Sequence, residues 1–315
     1  MEVFRGAKNL TRPLREPVVA IGNFDGVHVG HRALLSKARQ AARARGGEAV
    51  VLTFDPHPAK VLAPKLAPPL IANLEQKLEL LAGIGVDACV LEPFSWELAS
   101  KSPDEFVAEN LVTLLHAREV VVGHDFTYGS KRQGDTKSLK EAGAAHGFQV
   151  HVIPAVTING LVVSSTKVRE LVLEGNVEGA NLLLGRELEV DGVVVKGAGR
   201  GRSIGFPTAN VVTENELLPR PGVYAGHLAL LSAEGRDRWD AVISLGRNPT
   251  FVTEGELTLE VHVLEFDRDL YDQRVRVGFH SWLRGEERFP SVQSLLEQIH
   301  EDIGVARLRL SGKRS

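Results

Sequence analysis

Cysteine is nearly absent from this sequence. The single one, Cys89, excludes an internal disulfide framework and any cysteine-cluster zinc site. Its neighbours Ala88, Val90 and Leu91 are apolar, so it reads as a small buried hydrophobe. Long apolar runs are also missing. No stretch approaches the roughly 18 residues of a membrane span, and Met1 to Thr11 lack the apolar core of a secretory signal. Nor does one sign of charge dominate: a formal net charge of −3 and a pI near 6.4 give no global attraction to nucleic acid or an anionic membrane. There are no internal repeats and no low-complexity tracts, and residues 63–69 are only a proline-rich loop. These absences leave the expectation of a cytoplasmic protein with small-molecule partners, no nucleic acid and no membrane.

What is present is an ordinary globular composition, 43% apolar and 24% charged, in 315 residues that suffice for two domains with their own cores. From residue 17 to about 153, apolar runs at 18–21, 49–54, 88–91, 119–122 and 149–153 alternate with helical periodicity near 29–46, 73–83, 103–116 and 136–147. This alternation predicts right-handed crossovers and a parallel sheet, whose ligands collect at the carboxyl ends of the strands. After residue 186 the period becomes two, with glycine and proline punctuation. Strands near 190–195, 222–231, 239–245, 257–264 and 275–282 predict an antiparallel barrel or sandwich. Val292, Leu295, Leu296, Ile299, Ile303 and Val305 then fall at helical spacing, which predicts an amphipathic helix packed on those strands. Gly185-Arg186 is the expected hinge between domains 1–184 and 186–315.

Three strand ends carry unusual residues. The first is Gly-Asn-Phe-Asp-Gly-Val-His-Val-Gly-His at 22–31, followed by a helix bearing Arg32, Lys37, Arg39 and Arg43 and no acid before Glu48. Strand, glycine turn and helix aim backbone N–H groups and a positive dipole end at an anion, most often a phosphate. His28 and His31 are expected on one face of the first helical turn, pointing at that anion. Their i, i+3 spacing is not the i, i+4 spacing of a helical zinc pair, so a metal is the weaker reading, as is a purely structural pair. The other two ends are Phe54-Asp55-Pro56-His57-Pro58 and the run 123–129 containing His124, Asp125, Phe126 and Tyr128. All three are expected to converge on one crevice. Further on, Ser164-Ser165-Thr166-Lys167-Val168-Arg169 reads either as a helix cap with solvated basic residues or as a second phosphate clamp.

A second glycine cluster, 196–210, fits neither the dinucleotide fingerprint nor the Walker phosphate loop. Its glycines with Lys196, Arg200 and Arg202 form an anion cradle, and Thr208 with Asn210 offers oxygens suited to Mg²⁺. The bland alternative is a flexible basic hairpin. Leu257, Leu259, Val261 and Val263 share one strand face, and Glu260 and His262 the other. Glu260 is then either a solvent-facing strand acid or a carboxylate that takes a proton from an attacking hydroxyl.

Taken in order, the motifs at 22–31, 53–58, 122–126 and 164–169, then at 199–210, 221–224, 248–251 and 259–262, resemble the prokaryotic bifunctional riboflavin kinase/FMN adenylyltransferases, also called FAD synthetases. The resemblance spans about residues 15–310. It implies an α/β nucleotidyltransferase domain with a Rossmann-like parallel sheet, followed by an antiparallel β-barrel riboflavin kinase domain with a C-terminal helix. It further implies that His28 and His31 serve catalysis on ATP, with Gly22, Phe24, Asp25, Gly26 and Gly30 around the nucleotide and Ser165, Thr166 and Arg169 as counterpart clamp. Phe54, Asp125 and Phe126 would lie near FMN. In the barrel it implies a phosphate flap with Gly197, Gly199, Gly201 and Arg202, Mg²⁺ and ATP held by Thr208 and Asn210, and Glu260 as general base. Riboflavin and ATP would be substrates, FMN and FAD products. Two other readings stay open: a nucleic-acid binder built on the basic loop, which salt-dependent RNA binding would reveal, and a nucleotidyltransferase with another acceptor.

Overall fold

The computed structural model describes residues 1–197, 201, 204–231, 237–246 and 257–312, and the chain divides into two compact units. Met1–Pro69 and Leu74–Ser164 form the first; Leu70–Asn73 and Ser165–Ser315 belong to the second.

In the first unit, strands β1 (Glu2–Phe4), β2 (Val18–Ile21), β3 (Ala49–Asp55), β4 (Ala88–Pro93), β5 (Glu119–Gly123) and β6 (Gln149–Ile153) make one sheet in the order β1-β4-β3-β2-β5-β6. Every pairing is parallel, as the strand–helix alternation predicts. The edge strand β1, with Val3 opposite Cys89, is too short to show a period and was not expected. Helices α1 (Val29–Ala44), α2 (Pro58–Leu62), α3 (Leu74–Ile84), α4 (Trp96–Ser100), α5 (Pro103–Phe106) and α6 (Thr136–His146) lie between the strands. A capping box of Ser102 and Glu105 starts α5, which widens into π-type turns over Val107–Leu114. Side-chain alternation sorts β2 onto two cores. Val19 and Ile21 join Leu111, Leu115 and Leu139, whereas Val18 and Ala20 join Leu34, Leu35, Ala38 and Leu81. Burial on both faces is why β2 reads as a continuous apolar run, each buried Val or Ile contributing ~1.5–3 kcal/mol. Cys89 is fully buried in the second of these cores.

The strand order reverses at β2, with β3, β4 and β1 on one side and β5 and β6 on the other. Such a reversal opens a crevice at the carboxyl ends. The three motif-bearing strands β3, β2 and β5 are neighbours there, with Ala20 registered against Val51 and Val121. A short hairpin, β7 (Thr157–Ile158) with β8 (Leu161–Val162), follows β6.

In the second unit, α7 (Ser165–Glu174) and α8 (Val177–Leu184) pack with a closed antiparallel barrel. Its strands are β9 (Leu188–Val195), β10 (Ala209–Thr213), β11 (Gly222–Leu230), β12 (Arg238–Gly246), β13 (Thr258–Val263) and β14 (Arg274–Arg284), in the order β10-β13-β12-β11-β14-β9. Asn181 on α8 ties to the barrel, accepting from the Leu188 N–H at 2.6 Å and donating to the Phe279 carbonyl at 2.9 Å. The C-terminal helix, Val292–Ser311, packs on β11, β12 and β14. Of its expected apolar face, Leu295, Leu296, Ile299 and Ile303 are half-buried, and only the two valines depart. Val292 is 59% and Val305 37% exposed, and the buried row is Asp302, Ala306 and Leu310. Arg284 grips Asp302 through three hydrogen bonds, of 2.9, 3.2 and 2.8 Å, so a carboxylate occupies a core-facing position that hydropathy assigns to solvent.

Candidate active sites

The turn after β2 is strained and buried. Phe24 and Val27 hold left-handed φ angles of 49° and 42°, and Gly26 one of 73°. Left-handed backbone at non-glycine residues costs of order 1–3 kcal/mol each and concentrates at functional positions. Burial of both side chains in the core beneath α1 holds the turn in place. His28 caps α1 instead of lying in its first turn: its φ/ψ are −66° and 172°, and its Nδ1 accepts the His31 N–H at 3.2 Å. A neutral ring that accepts at Nδ1 carries its proton on Nε2, so His28 is a donor there. Its ring stacks on His31 with centroids 3.6 Å apart. Gly30 makes this stack fit, since a Cβ there would stand 3.2 Å from the His28 ring. Phe24 is fully buried and meets His31 edge-on at 5.2 Å, so its side chain braces the pair, and Gly22 lies beneath the same ring. Asp25 is buried in the turn. His31 Nδ1 is buried without a hydrogen-bond partner among the described residues. Burial first, then the neighbouring His28 and Lys77, holds the His31 imidazole well below its ordinary pKa.

At the end of β3, Phe54 is half-buried, meets Phe94 edge-on at 5.6 Å, and accepts at its carbonyl from Lys77 at 3.2 Å. His57 repeats the His28 device: it caps α2 with Nδ1 accepting the Ala59 N–H at 3.2 Å, which again leaves Nε2–H as donor. His57 was visible only as part of a motif, and Lys77 gave no signal, since a lysine in a helical stretch reads as solvated. After β5, Asp125 is exposed beside His124, and Phe126 stacks on Tyr128 at 5.6 Å against the core. Ser165 and Thr166 begin α7. Arg169 is buried, whereas Lys167 is half-buried in an ion pair with Glu170 at 2.9 Å.

In the barrel, strand register brings the expected kinase residues together. Asn210 on β10 is directly opposite Glu260 on β13, which in turn opposes Ser244 on β12. Directly opposed residues on one sheet face have Cβ atoms about 4.5–5.5 Å apart. Glu260 and His262 alternate with the buried Leu259, Val261 and Val263, as the period predicts. Thr208 lies two residues before Asn210, just ahead of β10. Gly197 runs so close above that a Cβ would collide with the Asn210 amide, and one at Gly201 would stand 3.4 Å from Thr208 Oγ1. His262 Nδ1 donates to the Pro207 carbonyl at 2.8 Å, and Phe206 packs edge-on against His262 and His300. Gly199, Arg200 and Arg202 lie outside the described residues, as does the 248–251 motif. Among the described residues, no group of three or more His, Cys, Asp or Glu is arranged to hold a metal, and no helix is long and apolar enough to cross a membrane.

Comparison with known proteins supplies the frame for these sites. The FAD synthetase family matches residues 11–167 and the riboflavin kinase family residues 184–310. A bifunctional riboflavin kinase/FMN adenylyltransferase of Pseudomonas fluorescens is 39% identical over 98% of this chain and 97% of its own. The Escherichia coli protein of that description is 37% identical, over 98% and 97%. A solved structure described as a macrolide-efflux protein from Streptococcus pneumoniae superposes with a TM-score of 0.86 at 33% identity, covering 97% of this chain and 98% of that one. The order and extent of both matched regions agree with the two units and their two clusters of polar groups, and the chain belongs to the bifunctional riboflavin kinase/FMN adenylyltransferase family.

Proposed function

We propose that this chain makes FAD from riboflavin in two ATP-dependent steps: residues 186–315 phosphorylate riboflavin to FMN, and residues 1–184 adenylate FMN and release pyrophosphate. The observation that carries the proposal is the pair of unlike sites on one chain, stacked imidazoles at a helix N-terminus in the first and a carboxylate opposite an amide in the second.

The two nucleophiles explain the difference. The ribityl 5′ hydroxyl of riboflavin must lose a proton as it attacks the γ-phosphate of ATP, and Glu260 is the carboxylate placed to take it. The FMN phosphate is already largely ionised at neutral pH, with a second pKa of about 6. Its attack on the α-phosphate needs positioning and charge neutralisation more than a base. The Nε2–H of His28, the unpaired polar atom of His31 and the positive end of α1 serve that need. The resemblance assigns Ser165, Thr166 and Arg169 to the same nucleotide, and Phe54, Asp125 and Phe126 to FMN.

For Mg²⁺, the Thr208 hydroxyl and the Asn210 amide oxygen are hard donors of the kind the ion takes when most of its shell comes from water and phosphates. The residues therefore fit. Bound there, Mg²⁺ would offset charge on the ATP phosphates.

Product analysis by chromatography tests the assignment. His28→Ala is expected to abolish FAD while FMN still forms from riboflavin. Glu260→Gln is expected to stop FMN formation while supplied FMN is still adenylated. Loss of both activities from either substitution contradicts the proposal.

A further inference from the structure

Lys77 is placed where a lysine is costly. It sits in the first turns of α3, against the helix dipole, and its side chain runs inward instead of to solvent. Two features answer that cost. Its Nζ donates to the Phe54 carbonyl at 3.2 Å, near the end of β3. Helix α3 also packs on the turn Asp25–Val27 that follows β2, which puts the ammonium in the field of Asp25 and Asp55, and of the neutral Cys89 thiol and His31. Burial lowers the proton affinity of Lys77, opposed by Cys89, Asp25 and Asp55. The Cys89 thiol, pushed up to about 12 by burial, supplies no negative charge at neutral pH. The two carboxylates are thus the counter-charges, one on each of two neighbouring strand ends.

We propose that Lys77 is a positioning residue of the adenylyl-transfer site, bridging the Phe54 carbonyl and the Asp25 turn so that the histidine pair and the flavin-side strand end keep one register. The ammonium has a second consequence through its field. Together with His28 and the burial of the site, it disfavours a proton on His31, so the imidazole pair rests without two positive charges stacked 3.6 Å apart. The inference rests on His28 and His31 serving the adenylyl step.

The test uses the full-length chain carrying Lys77→Met, which removes donor and charge at similar length. FMN adenylylation is expected to lose roughly tenfold in kcat with a smaller change in KM for ATP, since misplacement acts on the reacting geometry. Riboflavin phosphorylation by the same protein is expected to stay unchanged. The His31 imidazole, followed by NMR, is expected to titrate at higher pH than in the wild type, which shows that the Lys77 charge reaches the histidine pair, while the kcat-selective loss with kinase activity intact separates positioning from a merely structural role. Lys77→Arg keeps the charge and is expected to leave that titration in place. If the Met variant does not fold, Lys77→Gln retains a donor for Phe54 and removes only the charge, and the same upward shift is expected. An unmoved His31 titration in the charge-removing variant, or equal loss of kinase and adenylyltransferase activity, overturns the inference. A fault in the underlying assignment shows differently, as an active His28→Ala enzyme.

Discussion

At the scale of single residues, the site we propose for adenylyl transfer depends on how closely an imidazole approaches a glycine. The His28 ring lies across Gly30 and stacks on His31, and Gly30→Ala would place a methyl 3.2 Å from that ring. The ring must tilt or the helix start must shift, moving Nε2 by a few tenths of an ångström or more. We predict a loss in FMN adenylylation on the order of tenfold or greater, with riboflavin phosphorylation intact, read by steady-state rates of the two half-reactions. The histidine pair and its glycines were legible in the sequence because the motif is local. The capping role of His28 was not, since it depends on a backbone with φ/ψ of −66° and 172° that spacing does not reveal. Lys77 was illegible for another reason. Its partners Phe54, Asp25 and Asp55 are distant in sequence and meet it only because α3 packs on the strand ends.

At the scale of elements, strands with apolar runs were read to within a residue or two, and those without were missed. β10 was hidden inside a glycine-rich motif, and β1 has only three residues. The C-terminal helix was legible as a helix and in most of its apolar face, with Leu295, Leu296, Ile299 and Ile303 half-buried; its buried Asp302, held by Arg284 beside Ala306 and Leu310, was not. A comparable polar knot joins four elements of the barrel. Glu187, just before β9, is buried and accepts from His227 and His280, each at 3.0 Å, and also contacts Arg238, while His227 Nε2 stands 3.6 Å from Asp240. Burial alone would raise the Glu187 pKa; the bond to and charge of His227, then Arg238 and His280, outweigh it and hold the carboxyl down to about 2. A carboxyl depressed on folding stabilises the protein above its unfolded value and loses that contribution as pH falls through the folded one. We therefore predict that about 3 kcal/mol of barrel stability is lost between pH ~4.5 and ~2. Glu187→Gln should flatten that part of the profile in urea denaturation followed against pH. An unchanged acid slope would show that the knot carries no such linkage.

At the scale of the whole molecule, one chain carries two nucleotide sites whose residues differ because their nucleophiles differ. The parallel sheet carries the histidine pair at its reversal point, where on the proposed assignment a phosphate nucleophile needs no strong base. The barrel sets Glu260 opposite Asn210 across adjacent strands, where on the same proposal a hydroxyl does need one. The change of period near residue 186 and two unrelated motif sets in order point to two domains, whereas the structure divides between Ser164 and Ser165, so that α7 and α8 go with the barrel. We expect the two sites to work independently, with free FMN passing between them. A mixture of the His28→Ala and Glu260→Gln proteins, given riboflavin, ATP and Mg²⁺ and analysed by chromatography, tests it most directly. FAD is expected to form in the mixture though neither protein alone makes it from riboflavin; a mixture that yields no FAD rules out independent sites linked by free FMN.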